Sequence, residues 1–323
     1  MSQTFVLTLA QLNPVLGAFA QNAERAKQAW EEGKAAGADF VALPEMFLTG
    51  YQAQDLVLKP AFVADAHAQI EALARDVADG PALGIGAPVR HEGQLYNGYF
   101  VLAEGQIQRT ALKHHLPNTH VFDERRLFAH GPLAGPVDIG GVRIGLPICE
   151  DAWFEEVAET AVESGAEILV VPNGSPYYRG KHDERMGQMV ARVIENEVPL
   201  AYLNLTGGQD DQVFDGRSFV LNTGGHLAVQ LPLLDETIEH VTFSRTNQGW
   251  VAAEGTKTRF PEKIEQDYKI MVWALRDYMA KAGFSKVLLG LSGGIDSALV
   301  AAIAVDALGA ENVRCVMLPS EYT

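Results

Sequence analysis

The sequence predicts an α/β protein with layered sheets. Strand-sized apolar runs alternate with helix-sized amphipathic runs from the N-terminus onward. In addition, GADFVALPE (37–45) is matched by GAEILVVPN (165–173), and YFVLAEGQI (99–107) by SFVLNTGGH (218–226), in the same order along the chain. These echoes favour two similar halves related by a pseudo-twofold, with their sheets face to face, although any alternating chain can produce such matches. A length of 323 residues, 47% of them hydrophobic, suffices for one large domain and a smaller one.

The first predicted strand, Thr4–Leu12, leads to a helix with Asn22 as its N-cap that runs through Ala35. The other strand predictions rest on short apolar runs bounded by turn residues. They are Asp39–Leu43, Ala82–Val89, Tyr96–Ala103, Ile107–Leu112, Val142–Ile148, Ile168–Val171 and Leu200–Leu205, followed by a hairpin across Ser218–Leu231. The other helix predictions, which rest on amphipathic spacing, are Phe62–Val77, Phe154–Glu163 and Asp183–Glu197.

The composition of the sequence changes after Trp250. AAEGTKTRFPEK (252–263) is polar and contains Gly and Pro, which is typical of a linker. From Ile264 to Ala282 apolar residues recur with helical spacing, which predicts the first helix of a second domain. We therefore predict a first domain at 1–250, a linker at 251–262 and the start of a second domain at 263–323.

Charge and composition restrict the class of protein. The chain carries 25 basic and 41 acidic residues, a net charge of −16, which argues against a general nucleic-acid binder or a membrane-surface protein. No apolar run is long enough for a transmembrane helix, and the N-terminus has no signal-peptide pattern. The two cysteines, Cys149 and Cys315, do not form a disulfide framework. A cytoplasmic location is the expectation, and the charge says little about a small substrate.

Residues 287–303, VLLGLSGGIDSALVAAI, have the strand–loop–helix order of a phosphate-binding loop. Small residues let the backbone approach an anion, and the serine hydroxyls add donors; a lysine of the Walker type is missing. Asp296 suits this place only beside a magnesium ion or a positive charge. The alternative is an ordinary turn between a strand and a helix. The candidate ATP-binding residues are Ser292, Gly293, Gly294, Asp296 and Ser297.

A candidate nucleophile stands in VRIGLPICEDAWF (142–154), where a strand runs into Cys149. A thiol at a strand end facing a helix N-terminus is expected to have a lowered pKa, as a nucleophile requires. The alternative is a buried structural cysteine, a description that suits Cys315 better. Candidate partners are the histidines of LKHHLPNTH, which are His114, His115 and His120, or Lys113 together with Glu45 at two other strand ends. Spacing alone leaves that choice open. A metal cluster of His114, His115, His120 and Asp123 has no supporting motif, so we predict no metal site.

Resemblance adds to these observations. LPEMFLTGYQAQDL, KHHLPNTHVFDERRLF and GLPICEDAWF resemble the carbon–nitrogen hydrolase (nitrilase) superfamily, and specifically the glutaminase domain of glutamine-dependent NAD synthetases. SGGIDS resembles the pyrophosphate loop of the N-type ATP-pyrophosphatase family, and MLPSEYT resembles the segment that follows it. The resemblance implies a nitrilase-like α-β-β-α four-layer sandwich, followed by a parallel α/β segment that stops partway through its domain.

The resemblance also implies a role for each matching residue. Glu45 becomes the general base, Lys113 the stabiliser of the oxyanion, and Cys149 the nucleophile. Four further residues become glutamine-binding: Glu124, which also orients Lys113; Trp153, which walls the pocket; and Ser175 and Lys181, which hold the α-amino and carboxylate groups. The chain departs from the family at Thr119-His120 and at Gln52-Ala53-Gln54.

The implied activity is glutamine hydrolysis through a Cys149 thioester, with the ammonia used for ATP-dependent amidation of deamido-NAD to NAD. ATP and Mg²⁺ would serve the synthetase domain, and the glutaminase domain would need no cofactor. The implied partners are glutamine, deamido-NAD, ATP and copies of the chain in a homo-oligomer. From the 323 residues alone we expect glutaminase chemistry only. The alternatives are a stand-alone nitrilase-type amidase acting on another amide, and a nucleotide-sensing module with an inactive hydrolase half.

Overall fold

The computed structural model describes residues 3–317. Its strands are β1 Thr4–Gln11, β2 Phe40–Ala42, β3 Ala82–His91, β4 Gln94–Ala103, β5 Gln106–Leu112, β6 Val137–Ile139, β7 Val142–Gly145, β8 Ile168–Asn173, β9 Leu200–Asn204, β10 Thr206–Gln209, β11 Gln212–Asp215, β12 Phe219–Asn222, β13 His226–Gln230, β14 Thr237–Thr246, β15 Gly249–Ala252, β16 Val287–Leu291 and β17 Val313–Met317. Its α-helices are α1 Phe19–Ala35, α2 Pro60–Asp76, α3 Glu124–Leu127, α4 Glu155–Glu163, α5 Lys181–Asn196, α6 Lys263–Lys281 and α7 Ile295–Leu308.

Two large sheets repeat the same connectivity. The first has the order β15-β14-β1-β2-β3-β4-β5 and the second the order β13-β12-β9-β8-β7-β6. In the first, β1, β2 and β3 are parallel and β4 and β5 antiparallel. In the second, β7, β8 and β9 are parallel and β12 and β13 antiparallel. The first pair of matched segments contains β2 and β8, and the second pair contains the second half of β4 and the whole of β12, so the topology supports the repeat predicted from the sequence.

The part of the chain from β1 to β15, which we call the first unit, has four layers held together by apolar side chains. One cluster lies between the two sheets and includes Phe5, Phe40 and Val170. A second cluster packs α1 and α2 on the outer face of the first sheet, with Trp30 among its members. A third packs α4 and α5 on the outer face of the second sheet, with Met189 among its members. Each sheet is therefore covered on both faces, and the predicted α-β-β-α sandwich is confirmed.

Several local predictions need correction. Asn22 is not an N-cap: it lies inside α1, fully buried, where its amide bonds the backbone of Val15 and Leu48. The strand predicted at Val142–Ile148 ends at Gly145, because the ladder with β8 ends at the Gly145–Leu169 pair. Val251 and Ala252, assigned to the linker, pair with β14 instead. Strand β6 and the strand pairs β10–β11 and β14–β15 were not predicted.

Beyond β15, helix α6 packs against the β10–β11 hairpin, and β16 and β17 form a two-stranded parallel sheet with α7 beside it. The predicted helix and strand are both present, but their apolar faces are largely open. In α6 only Ile270 and Met279 are buried, and in β16 the side chain of Leu288 is 71% exposed. No helix in the described part of the chain is long and apolar enough to span a membrane. Most of the MLPSEYT segment (318–323) lies outside the described residues.

Candidate active site

Three of the predicted site residues, each of which follows the end of a different strand, lie close together. Glu45 lies three residues after β2, Lys113 directly follows β5, and Cys149 begins a short 3₁₀ turn, Cys149–Trp153, after β7. Glu45 and Lys113 are fully buried, and Cys149 is 4% exposed. Since β2 and β5 belong to one sheet and β7 to the other, packing of the two sheets brings the carboxylate and ammonium close to the thiol.

Lys113 lies between two carboxylates. Its Nζ donates to Glu45 Oε1 at 2.6 Å and to Glu124 Oε2 at 2.8 Å. Burial alone would lower the pKa of Lys113, but the charges of Glu124 and Glu45 outweigh burial and raise this pKa well above its ordinary value. Burial raises the pKa of Glu124, an effect that the charge of Lys113 opposes. The lysine therefore remains an ammonium, fixed in place by the two carboxylates.

The Cys149 thiol differs from its predicted state. Burial, followed by the charge of Glu45, raises the pKa of Cys149 well above its ordinary value, so the prediction of a lowered pKa was wrong. The reason is that the thiol lies in the interior beside a carboxylate and at a single short turn, not at the N-terminus of a long helix. In the resting site the thiol keeps its proton. A base must remove this proton when the sulfur attacks.

Further buried groups complete the network, and sequence reasoning missed them. Asn97 Nδ2 on β4 donates to Glu45 Oε1 at 2.7 Å and to Glu124 Oε1 at 3.3 Å. The hydroxyl of Tyr51 donates to Glu124 Oε1 at 2.7 Å, and the backbone N–H of Gly174 donates to Glu45 Oε2 at 2.8 Å. An asparagine or tyrosine inside a strand or loop has no motif of its own, so only the fold reveals these contacts.

The turn that carries Cys149 is tied to the segment that carries Lys113. Asp151 Oδ1 accepts the backbone N–H groups of His114 (3.0 Å) and His115 (2.7 Å), while Oδ2 accepts that of Ile148 (3.0 Å). Cys149 itself has φ of +49°, a left-handed backbone conformation that costs energy for a residue with a side chain. Asp151 therefore stabilises a strained turn from within.

A cleft of about 820 Å³ opens beside this turn. Trp153 and Lys181 both line it, with Lys181 Nζ 4.0 Å from the centre of the Trp153 ring, and burial lowers the pKa of Lys181. Thr119 and His120, where the chain departs from the family, also face this cleft. Glu124 lines a smaller adjoining cavity of about 170 Å³.

Ser175 lies next to Gly174, and hydrogen bonds from Arg185 fix its position. The guanidinium of Arg185 donates from Nε to Ser175 Oγ (3.0 Å) and from Nη2 to the Ser175 carbonyl (2.7 Å), and its Nη1 contacts Asp215 at 2.7 Å. Arg185 and Asp215 are both fully buried. The predicted glutamine-binding residues thus surround the same end of the sandwich as the predicted catalytic residues.

The histidines lie outside the ion network of the site. Potential ligand atoms of His114, His115 and Glu156 lie within 4.8 Å of one another, whereas His120 and Asp123 do not belong to this group. His114 Nδ1 is 2.6 Å from the carbonyl of Gly131, and the His115 ring stacks on Phe154 at 4.0 Å. These contacts pack the segment that follows Lys113.

Of the predicted ATP-binding residues, Ser292, Gly293 and Gly294 form an exposed loop between β16 and α7, and Asp296 and Ser297 lie in the first turn of α7. The hydroxyls of Ser292 and Ser297 lie 3.1 Å apart, Ser297 Oγ donates to the Gly294 carbonyl at 3.0 Å, and Gly293 has φ of +84°. Helix α7 begins directly after Gly294. Hydroxyls and a glycine turn at the N-terminus of a 14-residue helix fit a phosphate chain, and Asp296, in the first turn of this helix, is the carboxylate that could approach Mg²⁺.

Comparison with known proteins matches both parts of the chain. Residues 6–248 match the model of the carbon-nitrogen hydrolase family, and residues 268–323 match that of NAD synthase. All 323 residues align at 59% identity with a glutamine-dependent NAD(+) synthetase of Rhodobacter capsulatus, over 58% of the length of that protein. A relative of the same name from Xylella fastidiosa is 41% identical, with 60% of its length covered. The chain thus spans about three fifths of the length of these relatives.

Solved structures agree with these matches. The glutamine-dependent NAD+ synthetase of Acinetobacter baumannii, determined in complex with ADP, superposes with a TM-score of 0.92 at 36% identity, over 99% of this chain and 60% of that one. An amidase from Nesterenkonia sp. AN1 superposes with a TM-score of 0.64 at 22% identity, over 74% of this chain and 90% of the amidase. The latter similarity concerns the fold of the first unit.

Proposed function

The chain belongs to the carbon–nitrogen hydrolase family, and from this premise we propose that it carries the glutaminase part of a glutamine-dependent NAD synthetase. The observation that carries the proposal is the buried ammonium of Lys113, held between Glu45 and Glu124 beside a neutral Cys149 thiol. The relatives of that name, which align with the whole chain, support glutamine as the amide.

Glutamine would bind in the cleft that Trp153 and Lys181 line. The Lys181 ammonium, at the edge of the cleft, suits the α-carboxylate of an amino acid. Ser175 would contact the α-amino end, and Arg185 fixes its position through two hydrogen bonds. The side-chain amide would then point inward, toward the thiol.

The chemistry follows from the protonation states. Glu45 takes the Cys149 proton while the sulfur attacks the amide carbon, and the ammonium of Lys113 stabilises the oxyanion that forms. Glu45 then gives this proton to the leaving nitrogen, which departs as ammonia and leaves a thioester. Water attacks the thioester with Glu45 again as the base. Collapse of this second intermediate releases glutamate and returns the proton to the sulfur. Glu124 keeps the Lys113 ammonium aimed at the reacting centre.

The remaining part of the chain would use the ammonia. We assign the pyrophosphate of ATP to the Ser292–Ser297 loop, and the reaction to amidation of deamido-NAD with release of AMP. The match of residues 268–323 to NAD synthase supports ATP use, and Mg²⁺ would supply charge compensation for the phosphates. Assembly as a homo-oligomer is part of this proposal.

The decisive experiment labels the nucleophile. The chain is incubated with a diazo analogue of glutamine, and adducts are located by intact mass and peptide mapping. We expect one adduct, on Cys149. Cys149→Ala should lose both the adduct and glutamine hydrolysis. The control Cys315→Ala, which removes an exposed thiol, should keep both. Unchanged turnover in Cys149→Ala would refute the mechanism, and faster turnover of simple amides than of glutamine would favour the amidase alternative.

A further inference from the structure

Asn97 occupies the centre of the buried charge network. Its side chain is fully buried on β4, and its amide nitrogen reaches both Glu45 Oε1 and Glu124 Oε1. Its carbonyl oxygen on the main chain accepts the backbone N–H of Lys113 at 2.9 Å. One residue therefore contacts all three members of the ion network, two through its amide group and one through its backbone.

The orientation of this amide follows from the charges around it. Turning it over would place its oxygen against two carboxylates, a repulsive arrangement unless one of them were protonated. As placed, its two N–H groups face the carboxylates, and Oδ1 has no hydrogen-bond partner among the described residues. Leaving a buried oxygen unsatisfied costs free energy, so the contacts of the N–H groups must outweigh that cost.

The hydrogen bonds also distinguish the two glutamates. Both oxygens of Glu124 accept strong donors, from Tyr51 and Lys113. Glu45 is asymmetric: Oε1 accepts from Lys113 and Asn97, whereas Oε2 accepts a single backbone N–H, from Gly174. Glu45 Oε2 thus keeps the lone pair that a general base needs.

We infer that Asn97 is a positioning residue, which holds Glu45 with Oε2 free for the proton of Cys149 and keeps Glu124 bound to Lys113. This inference rests on the proposed function, because it concerns the proton transfers of that reaction. Asn97 touches neither the nucleophile nor the substrate in this mechanism; it acts through the two glutamates and Lys113.

The test compares Asn97→Ala with Asn22→Ala in a Cys315→Ala background. Asn22 is equally buried and bonds only backbone groups, so it is a matched control for loss of a buried asparagine. For Asn97→Ala we expect kcat for glutamine to fall about 100-fold with little change in KM, since misplacing a reacting group acts on the chemical step. The acid limb of the pH profile should move to higher pH, because the carboxylates lose a donor that stabilises their charged form.

A second readout does not need glutamine. The rate at which iodoacetamide alkylates Cys149 is followed by intact mass from pH 5 to pH 10, and we expect the same displacement of its profile in Asn97→Ala and none in Asn22→Ala. If the wild type does not hydrolyse glutamine, the proposed function fails, while the alkylation profiles still test Asn97. If Asn97→Ala had the alkylation profile and the kcat of the wild type, the inference would be wrong.

If Asn97→Ala does not fold, Asn97→Ser and Asn97→Asp replace it. The serine keeps one donor, whereas the aspartate adds a third carboxyl to the cluster. We expect the serine variant to retain more activity and a profile closer to that of the wild type. Equal activity and equal profiles in these two variants would contradict a positioning role.

Discussion

Lys113 shows how a buried charge can serve chemistry at a cost in free energy. An ammonium removed from water is stable only where opposite charges and hydrogen bonds replace its hydration, and here two carboxylates do so at 2.6 and 2.8 Å. Two carboxylates and one ammonium leave an excess negative charge, which disfavours a thiolate at Cys149. Burial, followed by the charge of Glu45, thus raises the pKa of Cys149 and keeps the sulfur protonated in the resting site.

Asp151 gives the site a pH-dependent stability. Burial raises the pKa of Asp151 from 3.8 to about 7, against the opposing hydrogen bonds from backbone N–H groups. The folded state therefore binds a proton that the unfolded state has lost between pH 4 and pH 7, and stability falls as pH rises through this window. The cost of ionising this side chain in the fold reaches roughly 4 kcal/mol above pH 7.

Asp151→Asn removes this titration while keeping the shape of the side chain. We expect the free energy of unfolding of the wild type, minus that of Asp151→Asn, to decrease as pH rises from 4 to 7, and to level off above pH 7. Urea unfolding at several pH values measures this difference. A difference that increases with pH would mean that the backbone hydrogen bonds, not burial, dominate.

At the scale of elements, β3 passes so close to the Glu45 segment that a side chain is excluded. A Cβ on Gly86 would lie 2.1 Å from the backbone nitrogen of Met46 and 2.8 Å from the carbonyl carbon of Glu45. These are backbone atoms, which cannot rotate away as a side chain would. A glycine at this position therefore allows the backbone of the Glu45 segment to pack directly against β3.

We expect Gly86→Ala to lower the free energy of unfolding by about 1–3 kcal/mol and to reduce glutamine hydrolysis more than tenfold, because the Glu45 segment must shift. Gly187 on α5 is the control: apart from the neighbouring backbone of its own helix, its Cβ would meet no atom of the described residues within 4 Å. Gly187→Ala should stabilise the protein by about 0.5–1 kcal/mol through helix propensity, without loss of activity. Urea unfolding and ammonia release measure both variants. Normal activity in Gly86→Ala would show that the segment can move freely.

Periodicity predicted most elements because each sheet is covered on both faces, which gives strands such as β8 long apolar runs. It failed for the β10–β11 hairpin, where TGGQ and QVFD carry no apolar run of that length. Strand ends made Glu45, Lys113 and Cys149 candidates, and only the resemblance to a family selected them over the histidines; the structure places these three residues together. Asn97 and Asp151 were missed because their roles depend on groups far away in sequence, such as Glu45, 52 positions before Asn97, and His115, 36 positions before Asp151.

At the scale of the whole molecule, α6 connects the second part of the chain to the cleft beside Cys149. Asp277 Oδ1 accepts the Asn13 amide at 2.8 Å, and Oδ2 accepts the backbone N–H of Gly208 on β10 at 2.7 Å. Lys281, one turn later, donates to Asn13 and to the Gly208 carbonyl. The hairpin that β10 begins reaches the cleft, where its residues Asp211, Gln212 and Val213 form part of the wall. A contact on α6 can therefore affect the cleft wall through one hairpin.

Asp277→Ala removes the two hydrogen bonds that Asp277 makes to Asn13 and Gly208, while those of Lys281 remain. We expect the free energy of unfolding to fall by about 1–3 kcal/mol, amide hydrogen exchange to accelerate in α6 and in residues 206–215, and KM for glutamine to rise several-fold with kcat nearly unchanged. The KM effect follows because the hairpin lines the cleft without touching the buried charge network. Glu265→Ala, which removes a solvent-exposed pair with Lys269 on the same helix, should change none of these quantities. Equal exchange rates in residues 206–215 of both variants would mean that the hairpin holds its position without α6.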